Sequence, residues 1–165
     1  MNLRLGVPKE PENETRVGIV PSSMKKLLKA GFEVLVEKGA GVSANYSDAD
    51  YEAAGAKMVS RADALACENI VCINFPGIEG ISENTNLACV ADPFRNPEYV
   101  KQCISSNITL MSMDMIPRRL SRAQSMDVNS SQDNLAGYKA VLLGAANVPK
   151  GIPMMTTSAG TVRPA

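Results

Sequence analysis

Residues 3–41 read LRLGVPKEPENETRVGIVPSSMKKLLKAGFEVLVEKGAG, and the order of apolar runs within them decides the fold. Leu3 to Val7 is a short apolar run closed by Pro8, and Arg16 to Val20 is another closed by Pro21. Both read as strands or extended segments meeting turns. Ser22 is placed to cap a helix through Ala30, with Met24, Leu27 and Leu28 on one face and Gly31 at the stop. Phe32 to Glu37 then alternates Val34 and Val36 before the turn at Gly39–Gly41, which predicts a strand returning parallel to the first. Strand, helix and parallel strand make a βαβ unit.

The alternation continues outward. Ser47 opens a helical stretch, DADYEAAGA, that Gly55 ends, and Arg61 to Ala66 reads as a short helix leading into a strand from Ile70 to Phe75. Leu87 to Ala91 and Ile108 to Met111 are two further buried strands, separated by a helix that Asn96 and Pro97 start and that runs towards Cys103. Strands alternating with helices predict an α/β, doubly wound, mainly parallel sheet with helices on both faces. Beyond it, SRAQ from Ser121 and SSQD from Ser130 each offer a capping box, so two helix starts are expected close together. Leu135, Tyr138, Leu142 and Ala145 recur at helical spacing, which predicts a core-facing helix of about four turns ending before Pro149 and Gly151. The tail, PMMTTSAGTVRPA, has the composition of a connector. The expected organisation is an α/β domain over residues 1–150 and a connector over 151–165.

Composition removes several function classes. With 165 residues, 45% hydrophobic and 21% charged, the chain has the make-up of one soluble globular domain. Seventeen basic and seventeen acidic residues cancel, so nothing favours nucleic acid or an anionic membrane. Cys67, Cys72, Cys89 and Cys103 lack paired metal-ligand spacing and no histidine is present, so no metal is expected and the cysteines read as buried free thiols. The N-terminal MNLRLGVPKE lacks the marks of an export signal, which predicts a cytoplasmic location. No apolar run approaches the roughly 20 residues of a membrane helix. Without histidine or a G-x-S-x-G serine, nucleophilic hydrolysis has no machinery. The nine methionines read as core filler.

Three polar segments are candidates for chemistry. RRLSRAQSMD, Arg118 to Asp127, sets donors beside acceptors: the arginines and the Gln124 amide donate, Asp127 and the Gln124 carbonyl accept, and a carboxamide ligand needs both. On chemistry alone it reads equally as a capped loop with solvated charges. In VPKEPENETRV, Lys9, Glu10, Glu14 and Arg16 gather at the end of the first strand, where open α/β sheets place ligands; Arg16 can clamp a carboxylate, or the segment can be a loop of surface ion pairs. Gly39 and Gly41 lack the third glycine of a dinucleotide fingerprint and read as a turn that lets backbones pass closely.

Taken together in this order and spacing, GVPKE, RVGIVP, EKGAG, DADYEAAGA, PRRLSRAQSMD, NLAGYKAV and PMMTTSAGTV closely resemble the alanine dehydrogenase and pyridine nucleotide transhydrogenase family over essentially the whole chain. RAQSMD followed by SSQDNLAGYKAV resembles the transhydrogenase branch, the N-terminal region of the NAD(H)-binding alpha subunit. The resemblance implies hydride transfer between NAD(H) here and NADP(H) on a separate component, coupled to proton movement through a membrane component. It also implies a homodimer that is cytoplasmic and peripheral to the inner membrane through its partners. By motif position the nicotinamide-facing residues are Arg119, Gln124, Asp127 and Ser130, with Arg122, Ser125 and Tyr138 beside them. The extra arginine of PRRLSRAQ leaves Arg118 open for the role given to Arg119. These groups position a cofactor and carry no acid–base step.

The departures are informative. The substrate lysine of alanine dehydrogenases falls on Asn74, and their catalytic histidine is missing, which argues against an amino-acid oxidoreductase. Arg16 matches the arginine that binds substrate carboxylate there. The sequence stops at Ala165, where the family runs on into a G-x-G-x-x-G turn. The isolated chain is therefore expected to bind NAD(H) weakly and to be inactive alone. An alanine dehydrogenase-like enzyme and a non-catalytic binding module or fragment are the alternatives.

Overall fold

The computed structural model describes residues 3–164. Two compact units divide the chain, one ending at Pro117 and one beginning at Arg118. In the first, β1 (Leu3–Val7), β2 (Phe32–Glu37), β3 (Lys57–Val59), β4 (Asn69–Asn74), β5 (Asn86–Val90) and β6 (Thr109–Ser112) form one sheet in the order β3-β2-β1-β4-β5-β6. Every pairing is parallel. This is the doubly wound order, and because parallel crossovers are right-handed, its reversal at β1 sends the helices of the two halves to opposite faces. The switch point lies between the carboxyl ends of β1 and β4.

Local chemistry places the helices α1 (Met24–Lys29), α2 (Asp48–Ala53), α3 (Arg61–Leu65) and α4 (Pro97–Ser105). Ser47 and Asp50 cap α2 reciprocally, and the Ser60 hydroxyl accepts from the Asp63 N–H at the start of α3. Pro97 sits in the first turn of α4, where its missing N–H costs nothing. Strand β3 goes beyond the sequence expectation, because a three-residue Lys-Met-Val run carries too little alternation to be read. The segment Arg16–Val20 is a correction: Val17 and Ile19 are buried, yet no ladder includes them. Gly18 instead lies across β4, where an added Cβ would stand 2.7 Å from the Val71 carbonyl oxygen.

Two cores result. Val7, Met24, Val34, Val36 and Tyr51 are fully buried in the first, and the Tyr51 hydroxyl donates to the Ile19 carbonyl at 2.7 Å, so its burial leaves no polar group unsatisfied. Ile70, Cys72, Leu87, Cys89 and Cys103 anchor the second. The four cysteines are free and buried, as expected from the sequence. Helix α3 packs so closely on β1 that a Cβ at Gly6 would lie 1.9 Å from the Ala64 carbonyl oxygen. Gly41 serves a similar close approach, since a Cβ there would meet the Tyr51 ring at 2.6 Å, while Asp48 accepts from the Gly39 N–H at 2.8 Å. That turn is filled by protein.

The second unit holds a short 3₁₀ turn at Gln124–Met126, helix α5 (Val128–Asn147) and an antiparallel hairpin of β7 (Met155–Thr157) and β8 (Gly160–Val162). Three expectations change here. The turn starts after Ala123 and not at a Ser121 cap, and α5 is capped by Asp127, one turn before the predicted Ser130. Helix α5 buries no residue: Leu135, Tyr138 and Leu142 are exposed, so the apolar spacing does not mark a core face within this chain. Where a connector was expected, residues 155–162 pair as a hairpin.

Candidate functional site

The switch point forms a crevice. Pro8 to Pro11 leave β1 and Asn74 to Pro76 leave β4, and with Arg61 and Cys72 they line a cavity of about 290 Å³. Its polar groups are turned on one another. The buried Glu10 carboxylate accepts from the backbone N–H groups of Ile73 (2.5 Å) and Asn74 (3.0 Å) and from Asn74 Nδ2 (3.1 Å). Glu14 accepts from Asn74 Nδ2 at 3.3 Å, from Arg16 Nε at 2.9 Å and from Arg16 Nη2 at 2.7 Å. The Arg16 guanidinium holds the Glu14 carboxyl far below the usual range, at about 2. Glu37 takes the Lys9 N–H at 2.7 Å and Arg61 Nη1 at 3.0 Å. Of the two readings the sequence allowed for this segment, the ion-paired loop is the one present.

The loop from Arg118 to Asp127 is organised around Asp127. Its carboxylate accepts from the Ser130 N–H at 3.0 Å and the Ser130 hydroxyl at 2.6 Å, capping α5, and Arg118 Nε lies 3.5 Å away. The Ser130 hydrogen bonds lower its pKa, and Arg118 adds to the effect. Arg118 Nη2 reaches Asp133 at 3.3 Å, and the Arg118 carbonyl receives Gln124 Nε2 at 3.4 Å. Arg118 is thus committed to the loop itself. Arg119 and Arg122 are exposed and have no side-chain partner among the described residues. Ser125 donates to the Arg122 carbonyl at 3.3 Å, and Tyr138 stands 66% exposed on α5, beyond the turn that holds Asp127 and Ser130. A carboxamide would find both donor and acceptor in Gln124, an acceptor in Asp127 and cationic donors in Arg119 and Arg122.

Comparison with known proteins turns this geometry into kinship. The family model "Alanine dehydrogenase/PNT, N-terminal domain" matches residues 6–136. The chain belongs to that family. The first of the separate chains of NAD(P) transhydrogenase subunit alpha in Rhodospirillum rubrum is 43% identical over 99% of this chain and 45% of its own length. A crystal structure of transhydrogenase from Sinorhizobium meliloti superposes with a TM-score of 0.91 and 40% identity, covering 98% of this chain and 50% of that one. An L-alanine dehydrogenase structure matches at a TM-score of 0.67 and 31% identity, over 73% of this chain and 34% of that one. The chain therefore spans about half the length of the transhydrogenase relatives it matches. Its kinship supports an NAD(H)-binding, oxidoreductase component of a transhydrogenase complex, with the sheet expected from the sequence.

Three features escaped sequence reasoning. Glu10 is a buried carboxylate that caps the end of β4 across 63 residues of chain, a pairing no local spacing reveals. Arg118 bridges Asp127 and Asp133, which the neighbouring arginines concealed. The Asp127 cap was legible in principle, since Asp caps as well as Ser does and Ser130 follows at the capping distance. No group of three or more metal-ligating side chains occurs among the described residues, and none of their helices is long and apolar enough to cross a membrane.

Proposed function

We propose that this chain is the nicotinamide-facing N-terminal domain of the NAD(H)-binding component of a proton-translocating transhydrogenase. The observation that carries the reading is the loop of Gln124 and Asp127, flanked by the uncommitted guanidinium groups of Arg119 and Arg122. Bound NAD(H) supplies the ring carbon that gives or takes hydride. The chain supplies position: Gln124 meets the carboxamide with donor and acceptor, Arg119 and Arg122 donate from the side, and Ser130 keeps Asp127 an acceptor at neutral pH. No proton moves at these residues. The pyrophosphate and adenosine have no comparable holder among the described residues, because the Gly39–Gly41 turn is occupied by Tyr51 and Asp48.

In this reading NADP(H) binds a separate component, proton movement belongs to membrane components, and the subunit works as a homodimer peripheral to the inner membrane. An amino-acid substrate fits poorly, because Arg16 and Asn74 are held by Glu14 and Glu10. The test is a longer protein containing this domain, mixed with an NADP(H)-binding component and assayed for hydride transfer from NADH to an NADP analogue. Absence of transfer sinks the proposal.

A further inference from the structure

We infer that Glu14 is an internal carboxylate ligand of Arg16 and Asn74 that keeps small carboxylates out of the switch-point crevice. The inference concerns a different place from the Asp127 loop and does not depend on the reading given to that loop. Open α/β sheets take ligands at the switch point, and the crevice here has the size and the polar groups for a small one. A guanidinium fork and a side-chain amide converge beside it, a donor pair that recognises a carboxylate of two or three carbons. Glu14 already fills that role. Its side chain is only 13% exposed, while Arg16 remains 45% exposed. Glu14 stands two residues before Arg16 and also accepts the Arg16 backbone N–H at 2.9 Å, so the carboxylate is tethered beside its cation. A tethered ligand acts at an effective concentration of at least about millimolar, which dilute free carboxylates do not match.

The role is one of exclusion, so replacing Glu14 should create binding. Acetate and propionate are titrated calorimetrically into the 165-residue chain, into E14A and into E14A/R16A, with acetamide as the neutral control. The expected result is binding of acetate and propionate by E14A at least roughly tenfold tighter than by the unmodified chain, the worth of one charge-assisted pair. E14A/R16A returns to the weak level, and acetamide binds none of the three. E14Q, which keeps the shape of the side chain and drops its charge, carries the same test if E14A does not fold, and it too must gain affinity. Equal carboxylate binding by the unmodified chain and a folded variant overturns the proposal. So does the absence of any gain in a folded variant, or a gain that survives removal of Arg16.

Discussion

Ser130 closes on Asp127 twice, its N–H donating to one carboxylate oxygen at 3.0 Å and its hydroxyl to the other at 2.6 Å. One side chain thereby caps a 20-residue helix and presents an ionised acceptor in the loop before it.

The two roles separate by substitution. Asp127→Asn keeps a capping oxygen and loses the charge, whereas Asp127→Ala loses both. Far-ultraviolet circular dichroism should show less helix in the alanine variant and nearly native helix in the asparagine variant. In a longer protein containing this domain, both should slow hydride transfer. Native transfer by Asp127→Asn would remove the charge from the proposal. The folded pKa is depressed, so the cap is strongest above the ordinary aspartate range and weakens as pH falls through that lowered value.

Gln124 donates only at 3.4 Å, to the Arg118 carbonyl, a contact it can give up for a ligand. Gln124→Ala in the longer protein should slow hydride transfer by about 10- to 100-fold while NADH affinity changes only a few-fold. Single-turnover rates and equilibrium binding, measured on the same preparation, decide it. Equal losses in both contradict a positioning role.

Arg118 and Arg119 are neighbours with different commitments. Arg118→Ala should lower stability by under about 1 kcal/mol, an effect that salt erases, because its pair with Asp133 is exposed. Arg119→Ala should leave stability unchanged and lower hydride transfer more than Arg118→Ala does. The reverse order would move the ligand-facing role to Arg118.

Glu14 makes stability depend on pH. Its folded pKa of about 2 lies below the ordinary 4.5, so its pairing with Arg16 stabilises the fold fully above the ordinary value and is lost as pH falls towards 2. Half-exposure of Arg16 discounts the contribution to on the order of 1–2 kcal/mol. Urea midpoints for the chain and for E14Q should differ at pH 7 and converge steadily between about pH 4.5 and about pH 3. A difference that stays constant across that range refutes the assignment.

Gly6→Ala tests the approach of α3 to β1. With a backbone oxygen 1.9 Å from the new Cβ, one element must move, at a cost of roughly 3 kcal/mol or more. Thermal unfolding should show a melting point lowered by several degrees. A native melting point would mean that the contact is looser than its geometry.

Most of the sheet was legible because parallel strands buried on both faces leave near-continuous apolar runs, as Ile70 to Ile73 and Leu87 to Val90 do. Arg16–Val20 carried the same signal without a ladder, because apolar alternation reports burial and not the partner that supplies hydrogen bonds. Helix α5 shows the opposite limit. Leu135, Tyr138 and Leu142 have the spacing of a packed face, but periodicity does not name what covers them, and within this chain they are uncovered. The Asp127 loop was legible as a donor and acceptor set. Its wiring was not, because Arg118 to Asp133 and Glu10 to Ile73 are choices made by the folded chain.

The four buried thiols have a practical meaning. All lie at or below 5% exposure, and all belong to the unit that ends at Pro117. A colourless alkylating reagent therefore keeps time for the sheet alone, since each cysteine reacts only when its own neighbourhood opens. Cys67, beneath α3, reports the β1 side, and Cys89, in the second core, reports the side of β5. Read by mass, residue by residue, the order in which they become labelled would give the sequence in which this fold comes apart, with the helix and hairpin after Arg118 silent throughout.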